Sequence, residues 1–400
     1  LIDDDSRFRP PKKINNEQFS PILSPDLRLH PSALLALTLL SMPSLLSIAE
    51  LKKATRLHSP QSAIIHAQIE RLLLKEASNG KPFYELFLRD ASESMTLRAW
   101  ADTEAYEACA SCQKGEFIAI EGLFSHNASF GLDARGWELR LLPEEAIESL
   151  LEGSIERRLI LDTCWQTMRN AIETINDPRL LALCEQFSEQ YGARFRRAAA
   201  ARGNHHARRG GLLEHSSHMM EAALALCGVY RELNRDLLIA GVLFHDIGKL
   251  WETCPPERGF GIEPELRGEL LGHLSIGIEV INALWRELPK EGWEAHTPPS
   301  EEVRLHLLHL VAAHHGQLEF GSPVLPKTPE AILLHFIDNI DARLEMFSAA
   351  YQSASLGEGD LKGSLEWVKP LGVAPVFPLM LHLPPVTPEE KASKENNLLF

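Results

Sequence analysis

A chain of 400 residues exceeds what one hydrophobic core usually serves, which points to two domains or more. Its 44% hydrophobic and 24% charged residues are ordinary for a soluble globular protein, and six cysteines in so long a chain exclude a disulfide scaffold. The formal net charge of −15 argues against a general nucleic-acid binder, although Arg194, Arg196, Arg197, Arg202, Arg208 and Arg209 form a local basic run just before His215. Residues 1–45, with Asp3-Asp4-Asp5, Pro10-Pro11 and Lys12-Lys13, have the composition of a loosely attached N-terminal extension. Its apolar stretch, 32–48, is interrupted by Pro43 and is too short to span a membrane. Polar, proline-rich residues precede it, so it does not read as a signal peptide. No membrane partner and a cytoplasmic location are the resulting expectations.

Residues 46–145 read as strands. The stretch 63–74 carries Ile64, Ile65 and Ile69, and Asn79-Gly80 is a hairpin signal. Stretches 83–89 and 95–100 follow, the latter alternating through Met95, Leu97 and Ala99. A short helical piece, 103–112, precedes strands at 117–124 and 137–142. Five strands with a helix between the third and fourth is the order of an OB-fold β-barrel. Such barrels grip single-stranded nucleic acid on an aromatic face. Phe83, Tyr84, Phe87, Trp100, Phe130 and Trp137 are available, several of them needed for the core, and Phe83 and Trp100 are the expected base contacts. Cys109 and Cys112 form a CxxC with no second pair to join it, so they read as small residues on a helix rather than a zinc site.

From Pro143-Glu144-Glu145 onward the pattern is helical. Apolar residues recur at helical spacing through 159–175, 178–191, 212–226, 235–249, 266–285, 301–315 and 329–351, with no strand run between them. Residues 156–352 are therefore expected to form an all-α bundle, followed by a proline-rich tail at 353–400.

Histidines crowd into this bundle, several beside glycines that mark helix ends: Gly210-Gly211 before His215, Gly248 after His245-Asp246, Gly272 before His273, and Gly316 after His314-His315. The pair His245-Asp246 closes an apolar helix, 237–244, and two ionisable residues there are costly to bury without a partner. A divalent cation satisfies both. Imidazole and carboxylate together suit Mn²⁺, Fe²⁺, Co²⁺, Ni²⁺ or Zn²⁺ better than Ca²⁺. Asp338 also lies inside an apolar helix. His215, His245, Asp246 and Asp338 supply four ligands from three helices, and His273, His314 and His315 supply a second set with Asp246 bridging. His218, His306, His309 and His335 read as caps or surface groups.

These residues resemble the HD superfamily of metal-dependent phosphohydrolases, whose pattern of His, then His-Asp, then a distant Asp matches His215, His245-Asp246 and Asp338, with the middle motif present as His245-Asp246-Ile247-Gly248-Lys249. A narrower resemblance rests on His205-His206-Ala207, on Gly210-Gly211-Leu212-Leu213-Glu214-His215, on His314-His315-Gly316 with Glu319-Phe320-Gly321-Ser322-Pro323, and on Ile337-Asp338-Asn339-Ile340-Asp341-Ala342-Arg343. Together they look like the YhaM family of 3′-to-5′ exoribonucleases, which joins an N-terminal OB-fold to an HD domain. Asn79-Gly80-Lys81-Pro82-Phe83-Tyr84, Leu88-Arg89-Asp90 and Trp100 are similar to its barrel, although Ala91-Ser92-Glu93 follows Asp90 in place of the family's glycine.

The resemblance implies metal-dependent hydrolysis of phosphodiesters in single-stranded RNA, and of DNA as a further substrate, with two divalent cations. Mn²⁺ is the first choice, and Co²⁺, Fe²⁺, Ni²⁺, Zn²⁺ and Mg²⁺ are alternatives. Asp246 and Lys249 are the expected catalytic residues. Lys249, one turn beyond Asp246, either contacts a phosphate oxygen or caps its helix. Asn339 and Arg343, within a turn of Asp338, either orient that ligand or contact the substrate backbone. Arg208 and Arg209 would guide the incoming strand. Two rival readings remain open: an HD phosphohydrolase of nucleotides or other small phosphate esters, and a non-catalytic single-strand-binding regulator. A cyclic-dinucleotide phosphodiesterase is disfavoured, since Phe320-Gly321-Ser322-Pro323 stands where a Gly-Tyr-Pro signature would be. The oligomeric state is left open by the sequence.

Overall fold

The computed structural model describes residues 43–57, 60–127, 131–203, 206–353 and 365–378. The expectations for residues 1–42, Phe130, His205 and most of the C-terminal tail lie outside the described residues.

The first part is a curled sheet. Strands β1 (Ser44–Leu46), β2 (Gln61–Glu76), β3 (Pro82–Arg89), β4 (Ser94–Trp100), β5 (Phe117–Asn127) and β6 (Gly131–Leu141) pair in the order β4-β3-β2-β5-β6, with β1 added in parallel to β2. Every other ladder is antiparallel. A long first strand shared between two partners is the pairing expected of an OB-fold. The five strands read from the sequence are present, and the structure adds two details. The sheet has six strands, and β4 and β6 approach each other without a hydrogen-bonded ladder. The curl comes from two register shifts, between Ile69 and Arg71 in β2 and between Glu121 and Leu123 in β5. Along β2, Ala63, Ile65, Ala67 and Ile69 alternate into the core.

A helix, α1 (Ile48–Leu57), occupies a stretch read from the sequence as strand. Its Ile48 and Leu51 are fully buried, and its Ile48 N–H donates to Asp90 Oδ2 at 2.7 Å. The other oxygen of Asp90 accepts from the Ser92 and Glu93 amides at 2.7 and 2.8 Å. A carboxylate thus closes the β3–β4 turn, which accounts for a turn without the glycine. Helix α2 (Glu104–Ala110) packs between β4 and β6, and burial pushes its Cys109 thiol up to about 12, as befits a structural cysteine.

The second part is a helical bundle: α3 (Glu144–Glu152), α4 (Ile155–Glu173), α5 (Pro178–Phe195), α6 (Gly211–Val229), α7 (Arg235–Phe244), a 3₁₀ turn at Ile247–Leu250, α8 (Leu266–Glu287), α9 (Ser300–Ala313) and α10 (Pro329–Ser353). Every residue from Leu237 to Phe244 is buried, so α7 is the central helix, apolar all round and packed on α5, α6, α9 and α10. Among the described residues no helix is long and apolar enough to cross a membrane.

One loop of the bundle seats the barrel. Gln68 on β2 accepts from the Phe260 amide at 2.8 Å and donates to the Gly115 carbonyl at 3.0 Å. The Phe260 ring packs edge-on to Phe117 with centroids 6.4 Å apart. From the bundle side, Arg209 donates to the carbonyls of Pro256, Glu257 and Gly259 at 3.0 to 3.1 Å.

Candidate metal centre

The apolar helix α7 delivers His245 and Asp246 into the core, where they are 0% and 2% exposed. His245 caps the helix, and Asp246 leaves helical geometry to begin the 3₁₀ turn. His215 sits one turn into α6 on its buried face, His314 and His315 follow the end of α9, and Asp338 lies in α10. Helix α8 breaks at Gly272, whose φ of 69° is open to glycine, and His273 starts its second half.

Three groups of possible ligand atoms form among the described residues, and two of them lie at this centre, the third being His206, His218 and Asp341. His215, His245 and Asp246 make one, and His273, His314 and His315 the other, each with all its atoms within 4.8 Å of one another. Asp338 joins the first, its Oδ1 3.3 Å from His215 Nε2. Asp246 stands between the groups. Its Oδ2 is 3.2 Å from His245 Nε2, and its Oδ1 is 3.6 Å from both His273 Nε2 and His314 Nε2.

The histidines are oriented from behind. The carbonyls of Val242 and Val311 lie 2.8 Å from Nδ1 of His245 and His314. A carbonyl only accepts, so Nδ1 carries the proton and the Nε2 lone pair faces inward. Asp341 Oδ2 lies 2.6 Å from His215 Nδ1, and Glu252 Oε2 lies 3.2 Å from His273 Nδ1. Such partners fix tautomer and ring angle in metal sites. His315 Nε2 faces His273 Nε2 at 3.1 Å. Burial, with His314 and His273 beside it, pushes the His315 imidazole down to about 4, so it is neutral at pH 7. Burial alone would raise the carboxyl of Asp246, but Lys249 and His245 hold it well below the usual carboxylate range.

The residues fit a divalent cation. His245 Nε2 and Asp246 Oδ1 are buried without a hydrogen-bond partner among the described residues. Leaving such groups unsatisfied costs about 1–3 kcal/mol each, more for a charge, and a cation held by imidazole and carboxylate would remove that cost.

The remaining predicted residues fall elsewhere. Lys249 Nζ is 2.6 Å from Asp246 Oδ2, an ion pair at the centre itself. Asn339 accepts from Arg343 Nε at 2.7 Å on the outer side of α10. Arg208 is bonded to Glu214 and Glu345 at 2.9 and 2.6 Å, and Arg209 to the barrel seat. Phe83 and Trp100 pair across β3 and β4 with centroids 4.7 Å apart, Trp100 the more exposed at 37% against 8%. Reading from sequence missed Glu252 and the role of Asp341, which His206, His215 and His218 all approach within 2.9 Å. The available signal was spacing: Asp341 lies one helical turn beyond Asp338. His218, read as a surface group, is half exposed yet bonded to this carboxylate.

A pH dependence follows for the metal-free protein. Burial would lower the His215 imidazole, but Asp338 and Asp341 outweigh it and raise it to about 9. A raised folded-state value means stability that is fully present below the unfolded value of about 6.5 and is lost as pH rises through 9. The same proton would compete with a cation for Nε2. Affinity for Mn²⁺, measured by competition with a chelating dye, should therefore rise by up to about tenfold per pH unit between roughly 6.5 and 9. A flat profile there would remove His215 from the ligand set.

The HD domain family matches residues 212–343. A 3′-5′ exoribonuclease YhaM from Oceanobacillus iheyensis is 32% identical over 301 residues, 72% of this chain and 87% of its own. The protein of that name from Bacillus subtilis is 33% identical over 288 residues, 70% of this chain and 85% of its own. Among solved structures, the second OB-fold domain of replication protein A from Methanococcus maripaludis aligns with 25% of this chain and 96% of its own, at 19% identity and a TM-score of 0.19.

Proposed function

We infer the function of this chain from the fact that it belongs to the YhaM family of 3′-5′ exoribonucleases: it hydrolyses single-stranded RNA from the 3′ end in the cytoplasm, using a dinuclear centre. The observation that carries this reading is the position of Asp246, one carboxylate facing two separate histidine groups. His215, His245, Asp246 and Asp338 would hold one divalent cation, and His273, His314, His315 and Asp246 the other. Such a pair, Mn²⁺ by preference for this mixed donor set, would polarise an attacking water and steady the departing oxygen of the phosphodiester.

The chain's own groups do the rest. Asp341 and Glu252 hold the imidazoles of His215 and His273 in the orientation that turns Nε2 inward. Lys249 brings a positive charge beside Asp246, where it can meet a non-bridging phosphate oxygen. The exposed Trp100 face of the barrel offers a stacking surface to bases upstream of the scissile bond.

The test uses 5′-labelled single-stranded RNA and DNA with Mn²⁺-loaded protein. The expected result is a ladder shortening from the 3′ end, with RNA degraded faster than DNA. Intact oligomers alongside hydrolysis of free nucleotides would replace this reading with that of a small-phosphate-ester hydrolase.

A further inference from the structure

A cavity away from the histidines has one wall in the barrel and the others in the bundle. Its volume is about 420 Å³. Ala91 of the β3–β4 turn faces Arg157 and Arg158 at the start of α4, Arg196 and Arg197 after α5, and Arg209. Among the described residues, Glu152 and Asp162 are the carboxylates in its lining. They pair with Arg158 and Arg196, each at 2.6 Å, so the other three guanidinium groups have no carboxylate partner within the lining itself.

Two of those three, Arg197 and Arg209, have no close carboxylate among the described residues. Arg157 reaches Glu214 at 2.7 Å, but its Nε is buried with no hydrogen-bond partner. The nearest carboxylate to Arg197 is the exposed Glu257 at 3.9 Å. Arg209 bonds only to carbonyls among the described residues. Burial and the neighbouring charge of Arg197 push it down to about 10, the mark of a cation held beside another cation. A guanidinium has five N–H donors, and three of those on Arg209 are used. An oxyanion in this cavity would satisfy the buried Arg157 N–H and offset the crowded charges. The volume lies in the usual range for a small-ligand pocket.

We propose that this arginine pocket grips a backbone phosphate of the substrate strand between the barrel and the metal centre. The proposal rests on the nuclease reading above. It assigns the strand-guiding task to Arg157, Arg158, Arg196, Arg197 and Arg209, and not to Arg208, which is bonded to Glu214 and Glu345. Arg157 meets Glu214, the residue preceding His215, so the pocket borders the helix that carries a proposed ligand.

The experiment measures binding without turnover, using full-length Asp246→Asn protein and a labelled single-stranded RNA of roughly 20 nucleotides, between about 50 and 200 mM salt. In that background, Arg158→Gln with Arg196→Gln should weaken binding by about tenfold and flatten the slope of log K against log salt by about 0.7, the share of the one phosphate no longer neutralised. Both are half-exposed surface pairs, so folding should survive, as a melting curve will report. Asp162→Asn frees Arg196 and should act in the opposite direction, tightening binding, which a folding defect would not do. An unchanged salt slope in the double variant, or weaker binding in Asp162→Asn, would overturn the proposal. So would a mononucleotide that binds this pocket, in competition, more tightly than the strand does. Because no cleavage is read, a changed slope supports the pocket even if the nuclease reading fails, and an unchanged slope defeats it even if RNA is cut.

Discussion

Asp246→Asn should lower RNA hydrolysis by about a thousandfold or more, roughly 4 kcal/mol in the barrier, with the fold intact. The substitution keeps volume and shape. It removes a charge and turns one of two acceptor oxygens into a donor. Those oxygens stand 3.2 Å from His245 Nε2 and 3.6 Å from His273 Nε2 and His314 Nε2, so no other side chain can take over the position between the groups. The loss also leaves Lys249 without the carboxylate 2.6 Å from its amine. Metal content by mass spectrometry should fall along with the rate. Wild-type activity in this variant would remove Asp246 from the centre.

Gly248→Ala should be nearly as damaging, although Gly248 carries no side chain to contribute. A methyl group on Gly248 would lie 2.6 Å from the Cα and carbonyl carbon of His273, and closer still to the carbonyl oxygen. The obstacle is backbone, which no rotamer change can relieve. It is also held in place, since the His273 amide donates to Glu252 Oε1 at 2.6 Å. Helix α8 would have to move outward and take His273 with it. Overpacking of this kind costs about 1–3 kcal/mol, and a displacement near 1 Å at a reacting centre costs about a hundredfold in rate. Urea unfolding and the RNA ladder test the two effects separately. A variant with wild-type stability and rate would show that α8 has room to spare.

These two residues also mark what can be read without coordinates. His245-Asp246 was legible because two ionisable groups after an unbroken apolar helix require a partner. The purpose of Gly248 was not, since the atoms it avoids belong to a helix more than twenty residues later. Glu252 and Asp341 escaped for a similar reason. Each is a carboxylate on a partly exposed surface, indistinguishable in sequence from a solvated charge until His273 and His215 are seen behind it. The strand order was legible from alternation and the Asn79-Gly80 turn. Helix α1 was not, because Ile48 and Leu51 are consistent with either period over so short a stretch, and its anchor, Asp90, lies forty-two residues away. The arginine run was visible as a run. Which of its members face an open cavity depends on carbonyls and carboxylates brought from other segments of the chain.

The loop that seats the barrel redraws the modular boundary of the molecule. A linker at the start of the bundle looks like the natural place to separate the two parts. The surface on which the barrel rests, however, is the stretch 255–260, deep in the bundle's own sequence, clasped by Gln68 on one side and Arg209 on the other. A graft that moved residues 43–142 to another catalytic bundle would leave behind the partner of Gln68 and the ring that meets Phe117. The transplantable unit is the barrel together with its seat, two pieces of chain more than a hundred residues apart. Lengthening or shortening that loop would change the tilt of the barrel without touching either hydrophobic core.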